Sequence, residues 1–264
     1  MSFRRWWLPR RLLQGAVLLL VASPLCGWTF FQGNLASANL LGLKLSDPLA
    51  LLQVLLAARI MVPAFAGSAL LILLLYFLTG GRSFCGWVCP VNLLTELLDP
   101  LRQRLSGAGE TWPLTVKYGT LPITAALTVV TGVPLFEVLS PIGVVSRAIA
   151  FASFSGLALL GGIVFLELSG ARRAWCRSLC PLGGFYALLG RYAPLKIRFI
   201  KERCTHCGVC EQVCFVEEVL QPSLWTGIPL VTSGECSRCA RCIDACPTEA
   251  LGFGMQNPLK GERQ

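Results

Sequence analysis

Residues 204–214 read CTHCGVCEQVC, and residues 236–246 read CSRCARCIDAC, followed by Pro247. The spacing CxxCxxCxxxC therefore occurs twice, as Cys204, Cys207, Cys210, Cys214 and as Cys236, Cys239, Cys242, Cys246. Three closely spaced thiolates grip three irons of one cubane and a fourth from a distant place closes it, so two such runs predict two 4Fe-4S clusters in a small α+β module. CxxC pairs also build four-thiolate zinc sites. Two complete runs, the second ending Cys246-Pro247, are more specific for iron–sulfur than any single pair. A disulfide framework suits small secreted domains and does not fit this chain.

The runs resemble those of bacterial two-cluster ferredoxins, in which the last cysteine of each run serves the other cluster. The resemblance implies Cys204, Cys207, Cys210 and Cys246 for the first cluster, and Cys236, Cys239, Cys242 and Cys214 for the second. Phe215 stands where proline is usual after the first run. His206, the only histidine, lies between two ligand positions and reads as a solvent-facing loop side chain or as a protonatable neighbour of the cluster.

What precedes the runs is apolar. The 264 residues are 54% hydrophobic and only 14% charged, with a mean hydropathy of +0.63. Four stretches carry no charge, between Arg11 and Lys44, Arg59 and Arg82, Lys117 and Glu137, and Arg147 and Glu167. A hydrocarbon core takes about 20 helical residues, so the expected fold is a membrane all-α domain of four transmembrane helices over residues 1–200, with the ferredoxin-like module at 201–264. A cleavable signal peptide competes for the first stretch, but the apolar character continues past a short h-region. With both termini cytoplasmic, only Lys44, Arg59 and Arg147 of the 23 Lys and Arg face the other side, which is the positive-inside bias. The expected location is the bacterial inner membrane, multi-pass, with the module on the cytoplasmic side. The net charge of +9 reads as topology and attraction to membrane lipids. No nucleic-acid motif accompanies it. Cys26, alone in the first stretch, reads as a small buried apolar residue.

A second echo joins FCGWVCPVNLL at 84–94 and WCRSLCPLGGF at 175–185. Each CxxxCP follows a charge-free stretch, and a helix would set both sulfurs on one face. Proline suits the first turn of the next helix, where its missing N–H has no partner anyway. Cys85, Cys89, Cys176 and Cys180 are thus candidates for a further metal or cluster, for redox chemistry or for partner contact. The alternative is a packing role. For a quinol site the candidates are Glu137 above all, then Asp47, Arg147 and Glu167, with the ordinary reading that charges at helix ends mark boundaries.

Taken along its length, through SDPLALLQ at 46–53, FCGWVCPVN, WCRSLCPLGGFYALLG and both runs, the chain resembles the NapH family of ferredoxin-type membrane subunits. The resemblance implies a quinol dehydrogenase that passes electrons from ubiquinol or menaquinol toward a periplasmic nitrate reductase. A NapG-type periplasmic ferredoxin subunit would be its partner, with c-type cytochromes beyond. Competing readings are a polyferredoxin of metal or oxidase maturation, a MauN-like protein of methylamine oxidation, and a redox sensor or anchor without catalysis.

Overall fold

The computed structural model describes residues 5–27, 31–33, 37–40, 42–59, 63–107, 110–151 and 157–256. The charge-free stretches fold as helices, but short ones: Trp7–Ala22, Pro63–Thr79, Val116–Thr131, Pro141–Phe151 and Leu157–Leu168. The longest of them, Pro63–Thr79, has 17 residues, against the roughly 20 that a bilayer core of about 30 Å requires. Among the described residues no helix is long and apolar enough to cross a membrane. The four-span fold, and the multi-pass inner-membrane location inferred from it, are corrected accordingly.

The physical reason lies in backbone breaks that carry no charge. Helix Trp7–Ala22 passes into a 3-10 turn, Ser23–Cys26, with Pro24 in its first turn and Gly27 closing it at φ 76°. Helix Pro63–Thr79 stops where Gly80 and Gly81 take φ 114° and 71°, a conformation that glycine adopts without steric cost. Gly132 ends Val116–Thr131 in the same left-handed way. The apolar side chains are not all covered: Leu70, Leu71, Leu74, Leu75 and Leu78 remain 52–65% exposed. Cys26, expected buried, is exposed.

The chain divides into two compact units. One comprises Gln14–Leu74 and Cys89–Phe185. It holds an antiparallel sheet of β1 (Phe31–Gly33), β2 (Ser37–Leu40) and β3 (Leu43–Ser46) in that order. The run KLSDPLALLQVLLAA is thus strand and helix: Asp47 follows β3 and caps helix Pro48–Ala58, its Oδ1 accepting the Leu49 N–H at 2.9 Å. Helix Pro90–Ser106 buries Asn92, Asp99 and Arg102 on one face. Asp99 holds Arg102 through two bonds of 3.0 and 3.2 Å. Arg173 donates to Asn92 Oδ1 at 3.2 Å, and the buried Lys117 donates to the Arg177 carbonyl at 2.9 Å.

The second unit draws on Met1–Leu13, Leu75–Val88 and Tyr186–Gln264. Its sheet places β4 (Leu195–Phe199) between β5 (Leu230–Val231) and β6 (Leu251–Met255), all antiparallel, with Ile197 opposite both Val231 and Phe253. Ile197, Phe199, Val231 and Leu251 form its buried core. Tyr186 is fully buried against the rings of Tyr76 and Phe84 at 5.1 and 5.9 Å. Three glycines let backbones meet. A Cβ on Gly81 would lie 2.4 Å from Gly190 N and Tyr186 O, one on Gly190 2.9 Å from Gly234 O, and one on Gly234 2.0 Å from Ala187 O.

Candidate functional site

Both cysteine runs lie in this second unit, and their backbones follow one design. His206 and Gly208 in the first run take φ 52° and 74°, and Arg238 and Ala240 at the matching places of the second take 48° and 61°. Alternation of left-handed and ordinary residues curls successive N–H groups inward, the concave arrangement that suits anionic phosphate and iron–sulfur groups. The His206 N–H points at Cys204 Sγ at 3.4 Å, and the Ala250 N–H points at Cys246 Sγ at 3.3 Å. Each run then enters a five-residue helix, Val209–Val213 or Arg241–Ala245, and these two helices pack against each other.

That packing sorts the cysteines. One cavity is lined by Cys204, Cys207, Cys210 and Cys246, with Glu211 and Trp225 at its wall. A second is lined by Cys214, Cys236, Cys239 and Cys242, with Phe215 and Arg238. Cys214 and Cys246, the residues ending the two helices, have changed sides. Within each cavity the four thiols surround a space rather than meet at a point. Among the described residues no three Cys, His, Asp or Glu side chains converge on a single-ion site. Four thiols, N–H groups aimed at sulfur and a cavity between them fit a cube-shaped cluster, whose ligands must stand apart.

Three of the thiols are raised above their ordinary value and one is lowered. Burial, with Glu211 adding, pushes Cys210 up to about 11. Burial and the neighbouring Cys214, Cys236 and Cys239 push Cys242 well up. Burial raises Cys236 too, with the Arg238 guanidinium pulling the other way. At Cys246 burial is outweighed by hydrogen bonds from Thr248 and from the Ala250 and Leu251 backbone, so its value falls. Metal loading must therefore expel protons.

The CxxxCP cysteines are divided between the two units. Cys85 lies in the short helix Ser83–Trp87, in the unit of the runs. Cys89, Cys176 and Cys180 belong to the other unit. In neither motif do both cysteines share a helix: Cys89 and Cys180 are extended residues, at ψ 120° and 112°, that separate one helical turn from the next. Pro90 and Pro181 open the following helices, as the sequence predicts. Trp175–Leu179 is a π-helical turn, and Cys180 Sγ receives the Gly183 N–H at 3.4 Å.

Of the quinol candidates, Glu137 is half-buried in the short helix Leu135–Leu139, and Asp47 is the helix cap described above. Arg147 lies in helix Pro141–Phe151, its side chain outside the described residues. Glu167 is buried and accepts the Arg173 N–H at 3.1 Å. Burial raises its carboxyl above the ordinary value, against the pull of that bond and of the Arg173 charge. His206 is exposed, its ring 6.3 Å from that of Trp225. Sequence reasoning missed that Arg82, Lys196 and Arg238 are buried, Arg238 in the lining of the second cavity. The one signal for them was that Arg238 stands between two ligand positions.

A family model described as a 4Fe-4S binding domain matches residues 61–108 and 152–202, the stretches that carry the two CxxxCP motifs. With the cysteine-lined cavities, this defines a ferredoxin-type electron-transfer protein with a 4Fe-4S domain. The methylamine utilization ferredoxin-type protein MauN of Methylorubrum extorquens is 36% identical over 96% of the chain and 90% of its own length. MauN of Paracoccus denitrificans is 38% identical over 89% and 85%. The ferredoxin-type protein NapH of Escherichia coli is 32% identical over 94% and 88%. The chain belongs to this MauN and NapH family of ferredoxin-type proteins. No solved structure matches it.

Proposed function

We propose that the chain carries electrons on two 4Fe-4S clusters, one held by Cys204, Cys207, Cys210 and Cys246 and the other by Cys236, Cys239, Cys242 and Cys214. The observation that carries this reading is the exchange of Cys214 and Cys246 between the two cavities. When bound, such a cluster takes up and releases one electron at a time. The protein's own part is to present four thiols, aim N–H groups at sulfur and shield one cavity more than the other. Iron analysis of anaerobically purified protein should give about eight irons per chain. Cys246→Ser should remove the electron-paramagnetic signal of one cluster and Cys214→Ser that of the other. Loss of the same signal in both variants, or stoichiometric zinc, refutes the assignment.

The electron donor we propose is a quinol, with a NapG-type ferredoxin subunit and a nitrate reductase system, with its c-type cytochromes, as partners. The support is the family likeness to NapH. Anaerobic addition of a reduced quinol analogue, alone and with the partner subunit, should reduce the clusters in wild-type protein and more slowly in Cys85→Ser. Clusters that dithionite reduces but quinol does not, even with the partner present, count against it. Because the 4Fe-4S family match falls on the CxxxCP stretches, these four cysteines are proposed as a further metal or partner site. About twelve irons would place a third cluster there. A second reading rests on the higher identity to the MauN proteins, 36% and 38% against 32%, and makes methylamine utilization the pathway served. Gene deletion that stops growth on methylamine and spares nitrate respiration supports it, and the reverse phenotype returns the chain to the NapH role.

A further inference from the structure

The two cavities differ in the charges around them. Arg238, between Cys236 and Cys239, is 1% exposed. Its guanidinium donates to three carbonyls, those of Cys236, Gly190 and Leu195, the latter two at 2.9 and 3.2 Å. Among the described residues no carboxylate is hydrogen-bonded to it, so its charge is solvated but not cancelled. Lys196, fully buried, donates to the carbonyls of Gly190 and Arg191 at 3.0 and 2.9 Å and to that of Thr232 at 3.4 Å. Arg82, fully buried, enters from the segment leading to the first CxxxCP motif. It pairs with Glu235 Oε2 at 2.6 Å and lies 5.3 Å from the centre of the Phe215 ring. Arg82, Lys196 and Arg238 are thus three buried cations of this unit, and Glu235 is the carboxylate seen paired with Arg82.

The first cavity has none of this. The place of Arg238 is taken by the exposed His206, and among the described residues the charged side chain at the wall is Glu211 and no buried cation lines the space. The segment that brings Arg82 is itself built into the second cavity. Gly86 leaves room for the Cys239 Cβ and the Ser237 carbonyl, which a Cβ of its own would meet at 2.9 and 3.0 Å. Trp87 Nε1 donates to the Arg238 carbonyl at 3.0 Å.

An added electron is favoured beside fixed positive charge, and more so where water is excluded. Arginine keeps its charge throughout. Resting on the two-cluster reading above, we propose that Arg238, supported by Arg82 from the first CxxxCP segment, makes the Cys214, Cys236, Cys239, Cys242 site the higher-potential one. Electrons arriving at the Cys204, Cys207, Cys210, Cys246 site then run downhill to it. The step is a one-electron transfer, oxidising the first cluster and reducing the second, with no bond made or broken. Arg238 and Arg82 act as positioning residues for charge, and the first CxxxCP segment gains a part in setting potential.

The test is redox potentiometry followed by electron paramagnetic resonance, with the signals assigned through Cys214→Ser and Cys246→Ser. In wild-type protein the Cys214-dependent signal should appear first on reduction. Arg238→Gln should lower its midpoint by at least a tenfold change in electron partition, 59 mV for one electron, and leave the other signal in place. Arg238→Lys should restore it. Should Arg238→Gln fail to fold, Arg82→Gln alone should lower the same midpoint, and Arg82→Gln with Glu235→Gln, which removes no net charge, should bring it back. With about eight irons present and the two signals assigned, equal midpoints or midpoints indifferent to these variants overturn the proposal. Missing iron, or signals that do not follow Cys214 and Cys246, overturns the cluster assignment instead.

Discussion

Replacing Gly81 by alanine tests the glycine contacts that bind the 75–88 segment to the rest of its unit. Gly81 sits at φ 71°, a left-handed conformation that costs an L-residue about 1–2 kcal/mol. The new Cβ would lie 2.4 Å from the Gly190 nitrogen and the Tyr186 carbonyl oxygen. Both are backbone atoms of helix Pro181–Tyr192, so no side chain can swing aside, and overpacking of this kind costs about 1–3 kcal/mol. Together the two effects predict a loss of about 2–5 kcal/mol, a large share of a typical 5–15 kcal/mol of stability. Urea unfolding of the metal-loaded protein, followed by circular dichroism and by the cluster's visible absorbance, measures it. Gly119→Ala is the control, since Gly119 is exposed in helix Val116–Thr131 with nothing within 4 Å of its added Cβ. It should gain about 0.5–1 kcal/mol. A Gly81→Ala protein within about 0.5 kcal/mol of wild type, as for an ordinary surface change, would refute the close approach of these backbones.

Three further outcomes follow from buried polar groups. Asp99→Asn removes the carboxylate that Arg102 and Arg173 share and should cost about 3–5 kcal/mol in urea unfolding; a cost under about 1 kcal/mol would mean that water reaches the pair. Lys196→Met strands three carbonyls that now share one ammonium and should destabilise by about 1–3 kcal/mol, checked by thermal melting. Glu167 has a raised value in the fold, so the native state keeps its proton more readily than the unfolded chain. Its contribution to stability is complete below the ordinary value of 4.5 and is lost as pH rises through the native value. Glu167→Gln should flatten that part of a stability-against-pH curve.

The cysteine spacing and the helix starts at Pro90 and Pro181 were open to reading because each is a local property of a few consecutive residues. The helix lengths were not. Counting uncharged residues from Arg59 to Arg82 passes over Gly80 and Gly81, which end the helix without changing hydropathy at all. Nor were the buried charges. Arg82 reads as a loop cation until Glu235, 153 residues away, closes on it, and Lys196 reads as a surface residue until three carbonyls enclose it. The three-stranded sheet of β4, β5 and β6 joins short segments with weak alternation, so register arises from tertiary pairing that no window of sequence contains.

The exchange of Cys214 and Cys246 also bears on assembly. Neither cavity can be completed by its own run, so loading either one requires the helices Val209–Val213 and Arg241–Ala245 to be docked already. Once the Cys204, Cys207, Cys210, Cys246 site is filled, Cys236, Cys239 and Cys242 are held close to Cys214 of the other run, and the second loading meets a preformed site with most of its ordering entropy already spent. Half-filled protein should then be scarce during reconstitution. The population should pass from empty to full with iron supply, as a cooperative filling of two vessels that share their walls.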